Sequence, residues 1–166
     1  MRRGRALALA GASVLVALAA VAGASAASDD SDSRQDAVAD RGEQVMGFDL
    51  DTTVHRFTPT DSGGVQEVVA RDPGDDREVR DVQAHLREEA DRWKQGDFSA
   101  PAAIHGSDMP GLQELGAAGQ ALQVRYEALP DGGRVIFTSQ EAETVAALHD
   151  WFDAQVGDHG EHAEHG

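Results

Sequence analysis

The chain has 166 residues, 30 acidic and 14 basic side chains, a net charge of −16 and no cysteine. That balance excludes nucleic-acid binding, which needs a basic footprint, and attachment to anionic lipid. The missing cysteine excludes disulfides, thiolate metal sites, cysteine nucleophiles and a lipid-modified N-terminal cysteine.

Residues 1–26 read as a signal peptide. Arg2, Arg3 and Arg5 form a basic start, Ala6 to Gly23 is apolar and uncharged, and Ala24-Ser25-Ala26 supplies the small residues a signal peptidase recognises. The alternative, a retained anchor, is disfavoured by the short Ala/Gly-rich run. Cleavage after Ala26 is therefore expected, with no stable membrane insertion of the mature chain. The domain is then secreted or held in the cell envelope. Cleavage takes three of the 14 basic residues and none of the 30 acidic ones, moving the net charge from −16 to −19. Such a surface suits cations and basic partners, or serves only to keep the chain soluble.

Residues 27–44 are polar, acidic and aperiodic, and read as a disordered linker. Residues 45–156 are expected to form one small α+β domain. Within it, Thr52 to Thr58 and Val65 to Ala70 flank a turn ending in Gly63-Gly64. Leu122 to Ala128 and Arg134 to Thr138 likewise flank Leu129-Pro130-Asp131-Gly132-Gly133. Each pair predicts a β-hairpin. In the second, Leu122, Val124 and Tyr126 share one face and Gln123, Arg125 and Glu127 the other.

An amphipathic helix is predicted after each hairpin. Val79, Val82, Leu86, Ala90 and Trp93 form the stripe of one over Asp76 to Lys94. Val145, Leu148, Phe152 and Val156 form that of the other over Glu141 to Val156, with Gly157 as its stop. The connection from Gly96 to Gly119 carries Pro101 and Pro110, with one short helix expected near Met109 to Leu115. The order ββα-ββα predicts a four-stranded antiparallel sheet with two helices packed on one face. Arg56-Phe57 precedes Gly63-Gly64 at the spacing at which Arg125-Tyr126 precedes Gly132-Gly133, which suggests an internal duplication. The polar open face of the sheet is either solvated or the contact of a homodimer.

Seven histidines carry the functional signal. His55 shares a strand face with Phe57, His149 lies in the stripe of the second helix, His85 stands between Asp81 and Glu89 at helical spacing, and His105 sits in the connection. Imidazole binds copper, zinc and nickel, so inward histidines from a strand and the helix above it could form a metal site. The expected pair is His55 and His149, with His105 or His85 as a third ligand. Met46 and Met109 become possible soft ligands if the ion is copper(I). The competing reading makes each histidine structural: a core ring hydrogen-bonded to a carbonyl or carboxylate, or, for His85, a surface ion pair. The region 157–166 reads as a His/acid-rich tail in which His159, His162 and His165 bind metal weakly without folding. No phosphate loop, dinucleotide fingerprint, nucleophile elbow or local metal motif occurs in the folding part, so a non-enzymatic metal-binding domain is the leading expectation. A binding or assembly module with structural histidines is the alternative, and an enzyme with an unfamiliar site a more distant one.

Met46-Gly47-Phe48-Asp49 followed by Thr53, His55 and Phe57 resembles the opening of a family of small exported bacterial proteins of unassigned function. The resemblance continues through Asp72-Pro73, Ala84-His85-Leu86, Gly96-Asp97-Phe98, Pro101, Ile104-His105, Pro110-Gly111, Tyr126-Glu127, Gly133-Arg134-Val135 and His149. It covers residues 46–159. Members are sometimes labelled aspartate carbamoyltransferase, but the Ser-Thr-Arg-Thr phosphate loop of that enzyme does not occur here. The resemblance implies that His55, His85, His105 and His149 belong to one set. It implies no ligand.

Overall fold

A computed structural model describes residues 22–166. The start and most of the apolar run of the expected signal peptide, residues 1–21, lie outside the described residues. No helix among the described residues is long and apolar enough to cross a membrane.

Both hairpins form. Strands β1 (Thr53–Thr60) and β2 (Gly63–Ala70) join through a two-residue turn, as do β3 (Gln123–Leu129) and β4 (Gly132–Thr138). Helix α2 (Asp76–Trp93) follows the first, and α5 (Ala142–His159) the second. The Asp75 carboxylate accepts the Arg77 and Glu78 backbone N–H groups at 3.1 Å each, satisfying two of the orphan donors that start α2. Two short helices fill the connection, α3 (Ser99–His105) and α4 (Leu112–Ala117), where one was expected.

The sheet is mixed and five-stranded, in the order β3-β4-β2-β1-β5, not four-stranded and antiparallel. The addition is β5 (Ala163–His165), which runs parallel to β1 from the region expected to be an unfolded tail. Gly157 does not stop α5. The helix runs on to His159 and ends at Gly160, whose φ of 55° is the left-handed conformation glycine accepts. A single 3-10 turn then reverses the chain onto the free edge of β1.

The expected linker is also ordered. Helix α1 (Ala22–Met46) lies against α3 and α5. Val38, Gly42 and Met46 recur every fourth residue as a narrow buried row. A Cβ on Gly42 would stand 2.4 Å from the Met46 side chain, so the row is closely packed. Polar clamps complete the contact: Arg41 donates to the Ile104 carbonyl at 2.5 Å and Gln35 to the Gly157 carbonyl at 2.9 Å. The described residues therefore hold five α-helices where two were expected, and α2 and α5 are the ones that share the inner face of the sheet.

That face carries His55, Phe57, Val68, Val135, Phe137 and Val124. Phe137 packs on Trp93, Trp151 and Phe152, and Phe57 on Phe152. The outer face holds a row of alternating charge in register across all five strands: Glu127, Arg134, Glu67, Arg56 and Glu164. Arg134 stands 2.6 Å from Glu127 and 3.7 Å from Glu67, and Arg56 stands 3.7 Å from Glu67 and 2.7 Å from Glu164.

In the central β2–β4 pair Gly63 faces Thr138 and Gly132 faces Val69. Gly132 is needed there because a Cβ would meet the Val68 carbonyl oxygen at 2.1 Å. Gly132→Ala is expected to cost about 3 kcal/mol, the upper end for overpacking against rigid backbone. Gly133→Ala should cost only about 1 kcal/mol, since its nearest neighbours are movable side-chain atoms at 3.0 and 3.2 Å. Denaturant midpoints of the two variants check the contrast.

Candidate functional site

Three of the four domain histidines come together, and the fourth member of the cluster is from the expected tail. His55 points inward from β1, between its neighbours Val68 on β2 and Ala163 on β5. His159, the last residue of α5, lies parallel to it, with ring centroids 4.8 Å apart and planes 8° apart. His105, at the end of α3, stands edge-on to His159 at 4.9 Å and 78°. His85 enters from α2, its ring edge against Phe48 at 5.4 Å. Asp81 and Glu89, its expected partners, face Arg77 and Arg92 instead.

These four histidines line a chamber of about 40 Å³ with Met46, Gln66, Glu89, Trp93 and Gln155. The space suits one ion with a water or two, not an organic molecule. Its walls hold polar atoms without partners among the described residues: His55 Nδ1, His159 Nδ1, Gln66 Oε1 and Trp93 Nε1. Buried polar groups are ordinarily paired, so such a concentration asks for an occupant.

The His105 ring is oriented from behind. Its Nδ1 lies 2.9 Å from Asp158 Oδ2. Arg34 of α1 holds the same carboxylate from Nε at 2.6 Å and Nη2 at 2.8 Å, and also donates to the His105 carbonyl at 3.2 Å. A carboxylate behind one imidazole nitrogen fixes the tautomer and leaves the other nitrogen its lone pair, the usual support of a metal-ligating histidine.

Burial sets the protonation of the chamber. It pushes the His55 ring down to about 3, with His85, His105 and His162 adding repulsion and a backbone hydrogen bond with His162 acting weakly the other way. His85 falls to about 4, again chiefly by burial. His159 is driven well below the ordinary imidazole range by burial and by its histidine neighbours. Glu89 moves the other way, up to about 7, because its carboxylate is taken out of water. The Asp158 carboxyl is held low by His105 and Arg34, although burial, the largest single influence on it, opposes them. Neutral imidazoles with available lone pairs are the form that binds a metal.

The remaining expected ligands lie elsewhere. His149 Nε2 sits 2.8 Å from the Gly63 carbonyl and 3.2 Å from that of Thr60, so its ring closes the first hairpin. It does not pair with His55, which lies five residues back along β1, roughly 16 Å at strand spacing. Met109 is buried outside the chamber lining. His162 lines a neighbouring cleft with Asp36, Asp158, His159 and Glu161. His165 is half-exposed on β5, 4.0 Å from Asp153.

Among the described residues, no group of three or more His, Cys, Asp or Glu side chains is already placed to hold a metal ion. His55 and His159 lie nearly parallel with ring centroids 4.8 Å apart, and His105 stands edge-on to His159, so the three imidazoles are gathered but not yet set around one ion.

Removing residues 157–166 deletes Asp158, His159 and β5 together. The sequence alone predicts an unpacked tail and no change in stability. The structure predicts a loss of at least about 3 kcal/mol, the scale of a lost buried side chain and its pairing. A thermal melt of the truncated chain decides between them.

The chain matches no protein-family model, no curated protein and no solved structure.

Proposed function

We propose that the protein is an exported, non-enzymatic domain that binds one divalent or copper ion in the chamber formed by His55, His105 and His159, with His85 and Met46 at its wall. The observation that carries this reading is the pair of buried, unpartnered ring nitrogens, His55 Nδ1 and His159 Nδ1, beside a third imidazole backed by a carboxylate. Met46, a thioether in the same lining, favours copper, since soft ligands select copper(I). The family that the chain resembles has His55, His85, His105 and His149 in its motif positions; the first three line this chamber and His149 does not.

Binding stabilises a native state by RT ln(1 + [L]/Kd), so copper or zinc should raise the melting temperature of the full chain progressively with concentration. The expected stoichiometry is one tightly held ion per chain, measured by elemental analysis after dialysis. Imidazole nitrogens in the copper(II) magnetic resonance spectrum should accompany it. Absence of both stabilisation and retained metal would remove the reading.

The parallel stack itself supports a second reading, a binding or assembly module in which the rings only pack. In that case the alanine variants lose stability without metal and the wild type gains none with it.

A further inference from the structure

We infer that the protein forms a two-fold homodimer by pairing β3 with β3 of a second copy, giving one continuous ten-stranded sheet. The two edges of the sheet differ. The β5 edge is three residues long, and short edge strands are a usual guard against pairing. The β3 edge is seven residues long, contains no proline or lysine, and keeps an unbroken register with β4, so it carries no bulge. Among the described residues no strand covers its outer side.

The register shows which backbone groups are free to pair. Leu129 and Gly132 flank a two-residue turn and form a hydrogen-bonded pair, so Gln123, Arg125, Glu127 and Leu129 direct their N–H and C=O groups toward β4. The bond from Ala70 N–H to the Asp131 carbonyl at 2.8 Å confirms the alternation on the far side of β4. Val124, Tyr126 and Ala128 therefore present their backbone groups outward.

An antiparallel pair centred on Tyr126 joins Tyr126 to Tyr126 and Val124 to Ala128 as hydrogen-bonded pairs. Arg125 then falls opposite Glu127 of the second copy, and Glu127 opposite Arg125, in non-hydrogen-bonded positions where side chains approach most closely. Within one chain Arg125 already pairs with Glu127, so two copies side by side exchange this contact for two cross-strand ion pairs, with one sequence supplying both halves as an isologous interface requires. The charge row of the outer face ends at Glu127, where Arg125 of the second copy continues its alternation. At physiological salt the Debye length is about 8 Å, so these local pairs persist while repulsion between two acidic chains is screened. The same charge row would be buried in a dimer made through the open face, which places the contact at the edge.

The Ala128 N–H points away from the sheet and its side chain is exposed, so Ala128→Pro is tolerated by the monomer fold but blocks the ladder. Sedimentation of the full chain at physiological salt should show a dimer, and A128P should sediment as a monomer whose melting temperature matches that of the wild type diluted until it dissociates. The natural chain has no cysteine, which makes the register testable. Tyr126→Cys should link two copies on oxidation, because facing hydrogen-bonded residues lie about 5.5 Å apart, within disulfide range. Ala128→Cys, whose partner is Val124, should not. A wild type that stays monomeric up to high micromolar concentration, or a dimer that A128P leaves intact, overturns the proposal. Cross-linking through position 128 and not 126 overturns the register.

Discussion

Replacing His159 with Ala is expected to abolish metal-dependent stabilisation, while His149→Ala leaves it at the wild-type level. His159 stands between His55 and His105 and contributes one of the two buried, unpartnered Nδ1 atoms. Its loss should weaken binding by more than about a hundredfold, beyond the 10- to 100-fold typical of removing an outer support. Asp158→Asn, which keeps the shape but loses the charge behind His105, should fall within that 10- to 100-fold range. His149 is occupied at the hairpin carbonyls, so its removal should cost about 1 kcal/mol of stability and no affinity. Calorimetric titration of copper into each variant, with the metal-free melting temperature measured beside it, separates lost ligation from lost folding. Equal affinity in wild type and H159A would place the ion outside the chamber.

The second large effect is acid unfolding above the usual carboxylate range. His55, His85 and His159 have folded values below the ordinary imidazole value of 6.5, two of them at about 3 and about 4. Below pH 6.5 the unfolded chain takes up protons at these residues and the folded chain does not. Stability contributed by keeping them neutral is therefore present above pH 6.5 and lost as pH falls. Glu89 has the opposite sign. Its folded value of about 7 exceeds the ordinary 4.5, so between those values the folded chain holds a proton that the unfolded chain lacks. Three protons gained on unfolding less one released leaves about two, so stability falls by roughly 3 kcal/mol per pH unit at most between about pH 6.5 and 4.5. Across the window that removes about 5 kcal/mol, enough to unfold a domain at the lower end of the ordinary range of about 5–15 kcal/mol. Loss of the Asp158 charge adds to the fall at still lower pH. Urea unfolding at half-unit pH steps measures the slope, and a flat profile from pH 7 to 5 would contradict the burial of neutral imidazoles.

Period and punctuation alone determined the two hairpins, the α2 stripe and the inward alternation of Val124 and Tyr126; of the expected α5 stripe only Leu148 and Phe152 are buried, and the packed face runs through Ala147, Trp151 and Gln155 in place of Val145 and Val156. These elements are specified locally: alternation of two, a stripe of 3.6, and turn residues at their ends. The inward placement of His55 was legible for the same reason. Helix α1 was not, because its buried row is one Val, one Gly and one Met in an otherwise polar segment, which carries no apolar stripe. Its order depends on partners far along the chain, as in the Arg34 clamp on Asp158. Strand β5 was hidden likewise: Ala163, Glu164 and His165 become a strand only because the end of α5 delivers them to the edge of β1. Gly157 reads as a helix stop, yet nothing forces a stop where the helix remains packed, and so His159 was assigned to a tail. His149 is the converse case: its place on α5 faces the sheet, but the ring meets hairpin carbonyls, not the chamber. The sequence by itself determined which residues face the core and that the chain is rich in possible ligands. Only the tertiary structure decided which of them meet, because His55, His85, His105 and His159 lie on four different elements and no local pattern couples residues so far apart along the chain.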